Sequence, residues 1–205
     1  MSWITLEHSP VAYRLDFALY GMASVSLAAL LILASPSSQG GPLALWSLAG
    51  LGSWWLAEYG LHRYVLHGVQ PFKRWHAEHH RRPTALMGSP TAISAALFAV
   101  FVAVPAWWLL GKWPAIALTF GQITGYLAYG LTHHATHHAV PLQSLQRSAW
   151  LARRRRWHAV HHAKRADHPA GRGPGNYGVS TGAWDKVFGT QRAEPALQQT
   201  KKSAR

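Results

Sequence analysis

The chain has 205 residues, enough for one domain, and a net charge of +13 that favours anionic surfaces as partners. It holds no cysteine, which excludes disulfides, thiolate zinc sites, cysteine-ligated iron–sulfur clusters and a thiol nucleophile. Seven acidic side chains against 14 histidines make imidazole the abundant ligand for any metal held by the protein.

In chain order, four apolar stretches stand out at residues 17–34, 43–66, 91–110 and 114–132. The apolar runs within them, of which only the second carries a charge, Glu58, are each about 18–20 residues long, close to the roughly 20 that cross a bilayer as a helix. The first differs from a signal peptide in lacking a clear basic n-region and in its long apolar run, and reads as an uncleaved span. A short turn rich in Ser, Gly and Pro at 35–42 joins the first two stretches, and Gly111-Lys-Trp-Pro114 joins the last two. Residues 67–90 and the segment from 139 onward are basic, whereas the two short turns carry one charge, Lys112. By the positive-inside rule both termini and the two basic segments lie in the cytoplasm. The expected architecture is therefore all-α: a four-transmembrane-helix integral membrane protein with a cytoplasmic histidine-rich cap at 67–90 and 139–190. A single domain spans 1–192, and a polar tail at 193–205 reads as disordered. With no nucleic-acid motif in the chain, the positive charge is assigned to the membrane surface and no nucleic-acid partner is expected.

Twelve of the histidines fall in four clusters, leaving His8 and His168 as ordinary surface or internally satisfied residues. The clusters are His62-x4-His67, His76-x2-His79-His80, His133-His134-x2-His137-His138 and His158-x2-His161-His162. Residues three and four apart share a helix face, so each HxxHH triplet is expected to point one way. In the third cluster two pairs, His133/His137 and His134/His138, are rotated by about 100° from each other, and only one pair faces a single site. The five-residue spacing of the first cluster splays its side chains by about 140° on an ideal helix, which calls for local unwinding or for metals on either side. All four clusters sit at or beyond the same ends of the spans. Ten imidazoles exceed the four to six ligands of one ion and suit two.

The order HxxxxH, HxxHH, HxxxH, HxxHH, with Glu58-Tyr-Gly-Leu-His-Arg-Tyr-Val-Leu-His67, Trp75-His-Ala-Glu-His-His-Arg-Arg-Pro83 and Asn176-Tyr-Gly-Val-Ser-Thr-Gly-Ala-Trp-Asp185, resembles the fatty acid hydroxylase and sterol desaturase superfamily over residues 43–190. The resemblance implies the metal ligands and catalytic residues His62, His67, His76, His79, His80, His133, His137, His158, His161 and His162, leaving His134 and His138 as neighbours. At Gly130 the family pattern is often acidic, so any supporting role there is lost. The resemblance further implies two Fe ions, O2 as co-substrate, a membrane lipid substrate and an external electron donor such as a cytochrome, ferredoxin or reductase. Imidazole also suits zinc, and zinc in a purified sample would not contradict iron in the cell.

Glu58, one turn before His62, and Asn176 and Asp185 in the closing segment are candidates to orient ligand histidines. Glu78 rotates away from the histidine face. Arg153 to Arg156 suit anionic headgroups or an acidic redox partner. Gly121 and Gly125 are spaced for close helix packing. The expected activity is hydroxylation of a C–H bond of a fatty acyl chain or acyl lipid, in a bacterial inner membrane. A carotenoid or sterol hydroxylase or desaturase is the alternative within enzymes, and a metal transport or storage protein the alternative outside them.

Overall fold

The computed structural model describes residues 7–163 and 173–193, and every regular element in these segments is helical. His168, the polar tail from residue 194 and part of the second basic segment lie outside the described residues. Helix α1 is Pro10–Ala34, capped by Ser9, whose hydroxyl accepts from the Ala12 amide at 3.2 Å, with Pro10 at the first position. Helix α2 is Gly40–Gly60 and runs on without a break as a π-helix, Leu61–Leu66. Helix α3 is Phe72–Arg81. Helix α4 is the continuous stretch Thr91–Leu110, whose middle, Ala99–Ala103, is also wound as a π-helix, just before Pro105. The wider turn answers the proline, which cannot donate to the helix ladder and crowds the carbonyl behind it. Helix α5 is Lys112–His137, about 39 Å of helix for its 26 residues. The short α6 is Gln143–Gln146, α7 is Ala149–His161 and α8 is Ala183–Val187.

The reversal between α4 and α5 takes place at Gly111, whose φ of 81° lies in the left-handed region open to glycine. Two helices, α1 and α4, are long and apolar enough to cross a membrane. Their outer faces show side chains such as Leu33 and Leu109, more than 80% exposed, an apolar exterior that water would not tolerate over a whole helix length. The stretches expected as the second and fourth spans form helices of spanning length, α2 and α5, but these are not among the two that are apolar enough throughout to cross a membrane. They pack along each other, and α5 also packs against α1 and α4. A Cβ at Gly121 would collide with the Ser47 carbonyl, and one at Gly125 with the Trp54 ring, so small residues set how near these helices come. Trp54, Phe98, Tyr126 and Tyr20 interlock beside this contact with ring centroids 4.7–6.2 Å apart.

The four long helices deliver the histidine segments to one end. The C-terminal ends of α2 and α5 meet α3 and α7 there, and residues 173–193 close over them. The arginine run on α7 is divided. Arg154 is buried and rests 5.1 Å from the Trp157 ring, and Arg155 donates to the carbonyls of Ala135 and His138. Arg153 and Arg156 are exposed, whereas Arg155 holds α7 against the end of α5 and Arg154 turns toward the Val179 carbonyl.

Candidate metal centre

Ten histidines converge in two groups of five. His62, His67, His76, His80 and His161 form the first group, and His79, His133, His137, His158 and His162 the second; within each, the ligand nitrogens lie within 4.8 Å of one another. All ten positions singled out by spacing and resemblance are brought together. His134 and His138 are not among them: their rings stack on each other at 4.4 Å, and His134 turns toward Tyr13 and Phe17 of α1.

The division differs from the expectation that each HxxHH triplet points one way. From α3, His76 and His80 join the first group and His79 the second; from α7, His158 and His162 join the second and His161 the first. Helical geometry explains it. Positions i and i+4 are only about 40° apart, whereas i+3 and i+4 are about 100° apart, so a helix running between two centres serves both. The rings of His80 and His162, one from each group, stack at 4.1 Å across this divide.

The five-residue spacing of the first cluster is resolved by the π-helix. The His67 amide donates to the His62 carbonyl at 3.2 Å, an i→i+5 bond that stacks the two residues one above the other. Their rings lie 5.3 Å apart and both belong to the first group.

Backbone carbonyls fix the direction of two rings. His62 Nδ1–H donates to the Tyr177 carbonyl at 2.6 Å, and His161 Nδ1–H donates to the Gly175 carbonyl at 2.7 Å. A carbonyl only accepts, so each Nδ1 carries the proton and each Nε2 presents a lone pair. Those lone pairs aim at other imidazoles: His62 Nε2 at His76 Nε2, 3.0 Å away, and His161 Nε2 at His67 Nε2, 3.1 Å away. His76 Nε2 is also 3.0 Å from His80 Nε2. One proton there would have to serve two lone pairs, whereas a cation between the rings meets all three. In the second group, His133 and His79 are 3.1 Å apart at Nε2, and His137 and His158 2.9 Å. Bonds of 2.0–2.1 Å to one ion at right angles put two nitrogens about 2.9 Å apart, so the rings are spaced as ligands of a shared ion. Both ring nitrogens of His162 are buried and have no hydrogen-bond partner among the described residues. An all-imidazole set of five, with no thiolate and no carboxylate, fits a borderline divalent metal such as iron, zinc, copper or nickel.

The surroundings keep these rings neutral, the form that binds metal. Burial, with the His80 ring and the Lys73 ammonium nearby, pushes His67 down to about 4; burial, with the His137 and His80 rings nearby, pushes His79 down to about 3. The same causes hold His76, His158, His161 and His162 well below the usual histidine range.

Among the described residues the three carboxylate and amide candidates hydrogen-bond to no histidine and stand one step further back than expected. Glu58 accepts from the amides of Val179 and Ser180 at 2.6 and 2.9 Å and from the Ser180 hydroxyl. Asp185 accepts from the amides of Tyr177 and Gly178 and from the Thr190 hydroxyl. Asn176 Oδ1 accepts from the Arg192 amide, and its Nδ2 donates to the carbonyls of Trp157 and Arg192. Together they clamp the segment that carries the Gly175 and Tyr177 carbonyls. Those carbonyls are the groups that sequence reasoning missed, because any residue supplies one; the glycines at 175 and 178 were the available signal. A Cβ at Gly175 would strike the Thr190 carbonyl, and its φ of 72° is left-handed. Glu78, as expected, stays outside and pairs with Arg81 and Arg82. His8 is satisfied by the Gly88 carbonyl at 3.1 Å.

A cavity of about 220 Å³ opens beside the histidines, between α1, α3 and α5, and His76, His79 and His133 form part of its wall. The rest is mostly apolar or aromatic, including Phe17, Leu66, Phe72, Ile93 and Leu127.

The fatty acid hydroxylase family model matches residues 47–190, which contain all ten converging histidines and residues 173–190 of the closing segment. The chain belongs to the fatty acid hydroxylase family. A dihydroceramide fatty acyl 2-hydroxylase of Arabidopsis thaliana is 32% identical over 156 residues, covering 69% of this chain and 58% of its own. The ceramide very long chain fatty acid hydroxylase of Schizosaccharomyces pombe is 31% identical over 160 residues, covering 70% of this chain and 41% of its own. A fatty acid 2-hydroxylase of Rattus norvegicus is 26% identical over 166 residues, covering 73% and 41%. The chain thus spans between 41% and 58% of the length of these relatives. The hydroxylase domain visible in a solved structure of full-length scs7p superposes with a TM-score of 0.72 at 22% identity, over 90% of this chain and 68% of that one, a likeness of fold.

Proposed function

We propose that this family member is a membrane lipid hydroxylase that holds two iron ions, one in each histidine group, and inserts oxygen into a C–H bond of a fatty acyl chain. The balance is R–H + O2 + two electrons + two protons giving R–OH + H2O, with the electrons from an external carrier such as a cytochrome, ferredoxin or reductase. The observation that carries the reading is the pair of five-imidazole groups forming one wall of an apolar cavity. Bound there, the iron pair supplies the activation of O2 that an unreactive C–H bond requires and that no side chain provides.

The chain's own residues do the rest. Tyr177 and Gly175 hold the His62 and His161 rings with their lone pairs inward. Leu66, Phe72 and Leu127 wrap an acyl chain and keep water from the wall formed by His76, His79 and His133. The apolar outer faces of α1 and α4, bundled with α2 and α5, suit four spans whose histidine-bearing ends lie together in the cytoplasm. An acyl substrate then enters from the bilayer without crossing water. A metal store or transporter fits less well, because the ligands gather at one end of the helices instead of lining a path along them.

His79→Ala and His161→Ala are expected to lose bound metal and to abolish O2-dependent product from a native lipid extract. Undiminished turnover in either variant would contradict the proposal.

A further inference from the structure

The wall of the cavity carries one carboxylate among the described residues, Asp16. It lies on the face of α1 formed by Tyr13, Asp16, Phe17 and Tyr20, positions three and four apart that all line the cavity. The Thr91 hydroxyl donates to Asp16 Oδ1 at 2.6 Å. Among the described residues no cation and no second donor meets the carboxylate, and Arg14, two positions away, is exposed on another side of the helix. Asp16 stands just ahead of the uncharged run 17–34 of α1, and a carboxylate set in an otherwise apolar wall is kept where something binds it. Thr91 fixes one oxygen and leaves the other for a ligand.

The chemistry of that ligand follows. A carboxylate accepts hydrogen bonds and repels negative charge. A lipid head with N–H or O–H donors gains a charge-assisted bond at Asp16, while a free fatty acid brings a second carboxylate into the same apolar space. We propose that Asp16 is a specificity-determining residue, which accepts a hydrogen bond from the donor-bearing head of the acyl substrate and refuses fatty-acid anions. The inference rests on the reading of the cavity as the acyl site and adds to it the class of head that enters. Discrimination by repulsion as well as attraction is the efficient way for one residue to sort lipids with identical chains.

The test uses three probes with the same acyl chain, offered to the purified metal-loaded protein in nanodiscs: N-palmitoylethanolamine, neutral with donors; methyl palmitate, neutral without donors; and palmitate, anionic. Binding is read by displacement of a fluorescent lipid, independently of turnover. The wild-type protein is expected to bind the ethanolamide about tenfold more tightly than the ester, and palmitate more weakly still. Asp16→Asn keeps the shape and the Thr91 contact but removes the charge. It is expected to bring palmitate to within about threefold of the ethanolamide while metal content stays unchanged. Equal wild-type binding of the three probes, or an unchanged ratio in Asp16→Asn, overturns the role of Asp16 and leaves the acyl site standing. Failure of the metal-loaded wild type to bind any of the three overturns the acyl site and the role of Asp16 together. The wild-type ranking decides the question if the variant does not fold.

Discussion

His161 joins the first histidine group through Nε2 and the closing segment through Nδ1, so the direction of its lone pair depends on a carbonyl 14 residues away in sequence. His62 depends in the same way on Tyr177, and Tyr177 in turn is held by Asp185. Asp185 is fully buried and uses both oxygens as acceptors. Asp185→Asn turns one of them into a donor facing a backbone amide, a buried mismatch costing about 1–3 kcal/mol. Partners at one remove from a metal typically set affinity by about 10–100-fold. Titration of the variant against a competing chelator is expected to show weaker metal binding of that order with all ten histidines intact; unchanged affinity would mean that the closing segment does not orient the ligands. Acidity acts on the same residues. Folded His67 and His79 take up protons only near 4 and 3, while an unfolded histidine does so near 6.5. Below about 6.5 the unfolded chain therefore binds more protons than the folded one, and stability falls with falling pH through that window, alongside metal release. Denaturant midpoints of the metal-free protein are expected to be constant above neutrality and to drop steadily from pH 6.5 toward 4.

At the scale of elements, the π-helix Leu61–Leu66 turns a spacing that an ordinary helix would splay into one that stacks. Such segments cost hydrogen-bond geometry and persist where the extra residue has a use. Here the use is to keep His62 and His67 on one side, so removing one residue should undo it. Deletion of Tyr64 is expected to let the segment relax to α-helical winding and to lower bound metal from two ions per chain to one, measured by elemental analysis, with the second histidine group still loaded. Two ions per chain in the deletion variant would show that the π-helix is dispensable. The π-helix illustrates what the sequence hides. The ten histidines that converge were legible because His spacing is local, and so was their gathering at one end of the helices. The assignment of each histidine to a group was not, because a triplet on α3 or α7 faces two ways at once and only the partner helices decide which centre receives His79 or His161. Nor were the carbonyls of Gly175 and Tyr177, since a backbone acceptor leaves no mark in composition.

For the molecule as a whole, the four long helices act as a frame that sets the distance between α3 and α7, and the closing segment locks the frame at the histidine end. Glu58 shows the coupling. Its carboxylate, at the end of α2, takes three donors from residues 179 and 180, tying the frame to the segment that aims the rings. On the proposed function, the apolar exteriors of α1 and α4 and the cavity beside the histidines belong to one arrangement, in which an acyl chain in the bilayer would reach the histidine wall from the side. That arrangement depends on two separate centres sharing two helices. Anomalous scattering from crystals of the iron- or zinc-loaded protein tests it most directly. Two peaks are expected, one inside His62, His67, His76, His80 and His161 and the other inside His79, His133, His137, His158 and His162. One shared ion, or ions outside these groups, would contradict the account.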